Sequence, residues 1–305
     1  MQNNAQRRLT GGSHFLITIG IFLVFIALFF GISEFLTSTI FDVRLSDLKK
    51  IPAEDFTRDQ ANALKFSQIF TTLGFVFSAI TCAILFKSNF IKFTNLNRPP
   101  APLSIVLAIG FFFGLMPLIG LLIEFNASFS YPTELVELFS TLEKANDNLY
   151  AAILKYNTGT NFIVNILIMS ILPAIGEEIF FRGILLRVLT NWTKNVHLGI
   201  LVTSVVFALL HFQPYKFIPM VVMAVIFGYI YYRTGSLWVP IILHALNNFM
   251  VVLGDWILKT QDSDPGVLSP DYEFTVGPMI IGLVVALGAG YLLLHQRKKV
   301  DFSYE

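Results

Sequence analysis

Charge is what this chain has least of. Lys, Arg, Asp and Glu make up 13% of its 305 residues, where a soluble domain carries about 25%. That is too few to cover a water-exposed surface, and 55% of the residues are hydrophobic. With a mean hydropathy of +0.68, the solvent for most of the chain is lipid. The net charge of +1 argues against a strongly charged partner, nucleic acid included. A single cysteine, Cys82, excludes an internal disulfide. It lies in an apolar run with nothing beside it to activate a thiol, so it reads as a packing residue. No small-x-small cleavage site follows the first apolar run, 14–32, although Arg7 and Arg8 precede it; it reads as a retained span, not a signal peptide. Also missing are His-Glu-x-x-His, Gly-x-Ser-x-Gly and the glycine-rich nucleotide loops. The common zinc-protease helix, a serine nucleophile and nucleotide hydrolysis therefore lack support.

What is present is a series of apolar runs. A helix needs about 20 apolar residues to cross the hydrocarbon core. Runs at 15–32, 66–86, 103–123, 161–190, 198–212, 217–232, 237–253 and 276–294 predict an all-α polytopic membrane protein of about eight spans. The fifth and sixth are short and form either full spans or a shallow buried hairpin. The fourth is long and reads as one tilted helix or as two pieces broken near Pro173. Helical spacing of Leu135, Leu138, Phe139 and Leu142 predicts a surface helix over 131–155. Three regions follow: 1–160 with spans one to three and polar outer loops, 161–255 with spans four to seven, and 256–305 with an outer loop and the last span.

Lys and Arg in the connections set orientation. Lys87, Lys92 and Arg98 lie between spans two and three, Arg187 and Lys194 follow span four, and Arg297, Lys298 and Lys299 follow the last. The loops at 126–160 and 255–275 are acidic instead. The alternation predicts both termini in the cytoplasm. No transit or retention signal is evident, which with the compact loops suits a bacterial inner membrane.

An ionisable side chain inside a span costs at least about 2.5 kcal/mol at the bilayer centre, so each one is a candidate for function. Three places carry them. In Glu177-Glu178-Ile-Phe-Phe-Arg182, Glu178 and Arg182 share a helix face and can pair. Glu177 points about 100° away and is free for another task. Phe207-Ala-Leu-Leu-His211 is the second place, where a lone histidine could equally be a packing residue. In His244-Ala-Leu-Asn247-Asn248, His244 and Asn248 project from one face, while Asn247 is turned aside. A structural hydrogen-bonded histidine–asparagine pair is the alternative reading of that third place. Together the three supply a carboxylate, two imidazoles and an amide, an inventory suited to hydrolysing an amide bond. The same atoms could bind a metal, because two histidines and a glutamate match a three-ligand zinc site. His14, His197 and His295 sit at membrane ends and read as surface residues.

Glu-Glu-x-x-x-Arg, Phe-x-x-x-His and His-x-x-x-Asn stand complete, in order and in separate apolar segments. In this the chain resembles the CAAX prenyl endopeptidase and bacteriocin-processing family of intramembrane proteases, over roughly residues 163–249. The resemblance implies that Glu177 and His211 activate the attacking water and that His244 and Asn248 bind the oxyanion. Glu178 and Arg182 would brace the first motif, and Phe207 would pack beside the catalytic histidine. It implies a conical polar cavity enclosed by spans four to seven and open to the cytoplasm. The cofactor is either none or one divalent metal such as zinc, held by Glu177, His211 and His244. Partners would be the lipid bilayer and a peptide or membrane-protein substrate. Two other functions compete. An ion-coupled transporter would use the same buried groups as a relay, although the polar intramembrane residues lie only in the second half and no repeat is evident. A non-catalytic immunity or scaffold protein could also keep this fold.

Overall fold

The computed structural model describes residues 11–48, 51–86, 88–260, 276–295 and 300–302. Arg7, Arg8, Lys87, Arg297, Lys298, Lys299 and the 261–275 part of the acidic loop, all named above, lie outside the described residues. Among those described, every regular element is a helix. The principal ones are α1 (Gly11–Ile40), α2 (Arg58–Leu85), α3 (Pro102–Ala127), α4 (Thr133–Leu154), α5 (Thr160–Thr193), α6 (Val196–Leu209), α7 (Phe217–Thr234), α8 (Trp238–Thr260) and α9 (Val276–Leu294).

Six helices are long and apolar enough to cross a membrane: α1, α2, α3, α5, α7 with its leading turn (Pro214–Thr234), and α8. Two of the eight expected spans are shorter apolar helices, α6 and Met279–Leu294 within α9. Large apolar side chains cover the outside, with Leu16 70%, Val106 66% and Ile281 66% exposed. Such a surface is stable only against lipid, where helices satisfy their own backbone hydrogen bonds. The chain is an integral membrane protein.

Local signals place the helix ends. Thr57 and Gln60 form a reciprocal capping box at the start of α2, which satisfies two orphan donors. Pro102 opens α3 where its missing N–H costs nothing. The fourth span is a single helix, unbroken at Pro173. Two π-helical stretches, Ile166–Ile171 and Ile179–Leu185, flank Leu172–Glu178. The wider π turn ahead of Pro173 absorbs the proline's missing donor and ring volume, so the helix continues. α1 lies along α2, and α3 along α9. At the second crossing a Cβ on Gly114 would lie 2.5 Å from the Gly282 carbonyl oxygen and 2.8 Å from the Ala286 nitrogen. Close backbone approach of this kind is how helices associate in lipid. Gly114→Val should therefore destabilise the protein by about 1–3 kcal/mol through overpacking. Thermal denaturation in detergent would show it, and an unchanged midpoint would contradict the close crossing.

Hydrogen bonds between connections fix which loops share a face. On one side Trp238 donates to the Leu96 carbonyl at 2.9 Å and Ser236 to that of Arg98 at 2.6 Å. The segment Val300–Phe302 docks there too: Val300 N–H bonds Tyr232, and Arg187 bonds the Asp301 carbonyl at 2.9 Å. On the opposite side Asn148 donates to Ile51 at 2.6 Å, and Lys155 donates to Glu54 and Phe56. Asn157 joins Val252 and Asp255 there at 2.9 and 2.8 Å. The expected surface helix is α4, and it lies on this second, acid-rich side.

Candidate active site

The helix carrying Glu177, Glu178 and Arg182 runs through the middle of the bundle, and its phenylalanines make the surrounding core. Phe180, Phe181, Leu185 and Leu189 pack with Phe22, Phe207 and Ala224. Within that apolar shell Arg182 is buried and donates to Glu178 Oε1 at 2.7 Å. It also donates to the Ala224 carbonyl at 3.1 Å. Its guanidinium lies 5.0 Å from the Phe207 ring centroid and 5.8 Å from that of Phe227, a cation–π arrangement.

Glu178 does more than pair with Arg182. The same Oε1 receives His244 Nδ1 at 2.9 Å. A buried carboxylate on Nδ1 fixes the ring orientation and directs Nε2 the other way. His211 is set similarly by another acceptor, since its Nδ1 donates to the Phe207 carbonyl at 2.8 Å. Phe207 thus holds His211 by its backbone and covers it with its ring at 4.4 Å between centroids. The two remaining imidazole nitrogens meet at Glu177. His211 Nε2 is 3.9 Å and His244 Nε2 3.8 Å from Glu177 Oε2. That oxygen is buried and has no hydrogen-bond partner of its own.

The end of α6 puts His211 in place. α6 has 14 residues, about 21 Å at 1.5 Å per residue, against a hydrocarbon core of about 30 Å. It is shorter than that core is thick, and Phe212 just beyond its end takes a left-handed φ of 52°. The carbonyls left free at a helix end need donors. Asn146 of α4 supplies them, donating to His211 at 3.4 Å and to Phe212 at 3.0 Å. Asn126 of α3 holds the following turn, donating to Pro214 at 3.0 Å and accepting from Ile218 N–H at 2.7 Å.

These groups line one cavity of about 600 Å³, together with Asn247 and Asn248. Asn247 donates to Asn248 Oδ1 at 3.4 Å, a local bond that leaves the Asn248 amide nitrogen to the cavity. All four residues expected to carry catalysis, Glu177, His211, His244 and Asn248, line this space, as does Phe207; Glu178 and Arg182 stand behind the wall. Residues outside 161–255 contribute as well, among them Gln68, Ile119, Asp147 and Tyr150. Desolvation of its hydroxyl pushes Tyr150, a residue 45% exposed overall, above the ordinary tyrosine value, and the negative charge of Glu177 acts in the same direction. Sequence spacing gave no sign of Tyr150, because α4 is read as amphipathic without revealing what its apolar face covers.

The cavity is lined in part by α4 and by Gln213 and Lys216 of the turn after α6, which lie toward the acid-rich side of the bundle. As for metal, among the described residues no group of three His, Cys, Asp or Glu is arranged to hold an ion. Glu177, His211 and His244 converge at 3.9 and 3.8 Å, with no hydrogen bond at the shared Glu177 Oε2.

Fold and cavity define a polytopic helical membrane protein with a carboxylate–imidazole site within its hydrocarbon-spanning region. Residues 159–250 match the family model described as Type II CAAX prenyl endopeptidase Rce1-like. Among curated relatives, the putative membrane peptidase YdiL of Bacillus subtilis is 35% identical over 88 residues, 29% of this chain and 36% of that protein. The membrane-embedded CAAX protease MroQ of Staphylococcus aureus is 38% identical over 94 residues, 29% of this chain and 38% of that protein. The uncharacterized protein YpbD of B. subtilis is 33% identical over 88 residues, 28% of this chain and 42% of that protein. The match thus spans about two fifths of each relative's length. No solved structure matches the chain.

Proposed function

We propose that this chain is an intramembrane endopeptidase that hydrolyses peptide bonds with water activated by Glu177 and His211. The observation that carries the proposal is the convergence of both histidine Nε2 atoms on Glu177 Oε2, at 3.9 and 3.8 Å. Each histidine has its other nitrogen already engaged. Separations beyond 3.5 Å between polar groups suit a water between them. His211, protonated at Nδ1 by its bond to Phe207, presents a lone pair at Nε2. It and Glu177 can take the proton of a water as that water attacks a carbonyl carbon. The developing oxyanion would be met by the Asn248 amide and by His244. Because Nδ1 of His244 is committed to Glu178, Nε2 donates in the doubly protonated ring. The proton taken from water then leaves on the departing amine, which balances the reaction.

The family segment and the peptidase and protease names of two relatives support this reading. So does the rest of the cavity, where Met169, Met220, Met223, Ile119 and Phe227 form an apolar wall. Methionine-rich walls adapt to varied apolar side chains, which suits a peptide segment drawn from a membrane-associated substrate. No step requires a metal. The test is hydrolysis of a quenched peptide library by the purified protein in detergent, beside Glu177→Ala and with a chelator. Cleavage that is lost in the variant and retained under chelation is expected. Equal cleavage by both proteins would place the chemistry elsewhere, and loss under chelation would return the three side chains to a metal.

A further inference from the structure

Building on the peptidase reading, we infer that the Tyr150 hydroxyl is a substrate-binding donor, bonding a backbone carbonyl of the bound peptide beside the scissile bond. Three other tyrosines have their hydroxyls bonded within the protein. Tyr231 accepts from Asn95 at 2.9 Å and donates to the Thr94 carbonyl at 3.3 Å. Tyr156 donates to the Phe56 carbonyl at 3.3 Å, and Tyr229 meets His197 at 2.7 Å. Tyr150 differs. Among the described residues its hydroxyl has no hydrogen-bond partner and its ring no aromatic or cation–π contact. Yet it lines the cavity, and 45% of the residue is exposed. A tyrosine whose body joins a cavity wall and whose polar tip is unpartnered is placed for an incoming acceptor.

Contacts on both sides of Tyr150 along α4 fix its position. Asn146, one turn earlier on the same helix face, bonds the carbonyls of His211 and Phe212 at 3.4 and 3.0 Å. Asn148 donates to Ile51 at 2.6 Å, and Lys155 to Phe56 at 2.8 Å. Four residues rise about 6 Å along a helix, so Tyr150 stands one turn beyond the point where α4 holds the end of α6. Desolvation, and then the negative charge of Glu177, hold its hydroxyl above the ordinary tyrosine value. The phenol therefore lies within electrostatic reach of Glu177 and keeps its proton at neutral and mildly alkaline pH, available as a donor. An extended peptide that enters beside Met169, Met220 and Met223 takes its carbonyls out of water, and each one left unpaired weakens binding. Glu177, His211, His244 and Asn248 serve the water and the oxyanion, which leaves the flanking carbonyls to other donors. Tyr150 lies outside residues 159–250, so this contact comes from a part of the chain that the family model does not match.

Tyr150→Phe removes the hydroxyl alone. With individual quenched peptides in detergent, KM is expected to rise about three- to tenfold, the worth of one neutral hydrogen bond. The turnover number kcat should stay within twofold, because the contact is made in bound substrate and transition state alike. The rise should be similar for every cleaved sequence, since the backbone is common to them all. The thermal midpoint should not move, because no protein group loses a partner. Unchanged KM overturns the inference, and so does a fall in kcat at constant KM, which would confine the contact to the transition state. A loss restricted to peptides sharing one side chain overturns the backbone assignment, and a lowered midpoint would make the hydroxyl structural. A binding measurement separates this contact from the peptidase reading. Anisotropy of a fluorescent library peptide would be compared between Glu177→Gln and the double variant Glu177→Gln with Tyr150→Phe. Weaker binding by the double variant supports the contact, and equal binding, or none by either protein, overturns it. Absence of Glu177-dependent hydrolysis, by contrast, sinks only the peptidase reading.

Discussion

Glu177→Gln is expected to yield a protein that inserts and purifies like the parent yet cleaves peptide at least about 10²-fold more slowly, the range in which a lost general base falls. Glutamine keeps the shape and removes only the capacity to accept a proton, so packing against α8 and the cavity wall is preserved. His211→Ala should fall into the same range, because its Nε2 faces the same Glu177 oxygen. The informative measurement is the double variant. Two groups that act on one water are not additive, so combining Glu177→Gln with His211→Ala should cost little more than the worse single change. If the two losses multiply instead, the groups serve separate steps and the shared-water geometry is wrong.

The second large effect belongs to Glu178 and is one of stability as well as catalysis. Its carboxylate receives both Arg182 at 2.7 Å and His244 at 2.9 Å on one oxygen. Glu178→Gln leaves Arg182 buried without its counter-charge, a change that costs about 3–5 kcal/mol when one partner of a buried pair is removed. Loss of the monodisperse peak on size exclusion, or a much lower thermal midpoint in detergent, would report it. The double change Glu178→Gln with Arg182→Met removes the stranded cation and should recover much of the fold. It should not recover cleavage, because His244 then lacks the carboxylate that orients it. Full activity in the double variant would show that Glu178 only neutralises Arg182.

How much of this could be read from the chain depends on sequence distance. The Glu178–Arg182 pair follows from helical spacing, and so does the turning of Glu177 away from it. The third partner of Glu178 does not, because His244 is 66 residues away and nothing periodic encodes that contact. The four cavity residues were identifiable as misfits in apolar runs, whose cost in lipid demands a reason. Tyr150, Asn146 and Asp147 gave no such signal, since polar residues on a helix between spans are ordinary. The continuous α5 could not be foreseen either, because proline usually ends a helix and only the two flanking π stretches let this one pass. The part played by α4 was hidden for a related reason: it lies before spans four to seven in sequence, yet its Asn146, Asp147 and Tyr150 line the cavity with His211.

The brevity of α6 has a consequence for the lipid itself. Leu198, Leu201, Leu209 and Phe212 on this helix and its end are exposed, so acyl chains meet an apolar band about 21 Å tall by the helical rise. Hydrophobic mismatch of that size is relieved by compressing the neighbouring leaflets, at a cost of fractions of a kcal/mol per ångström. Lipid matched to a band of that height would be thinner beside His211 than beside α1 and α2, whose helices run 30 and 28 residues.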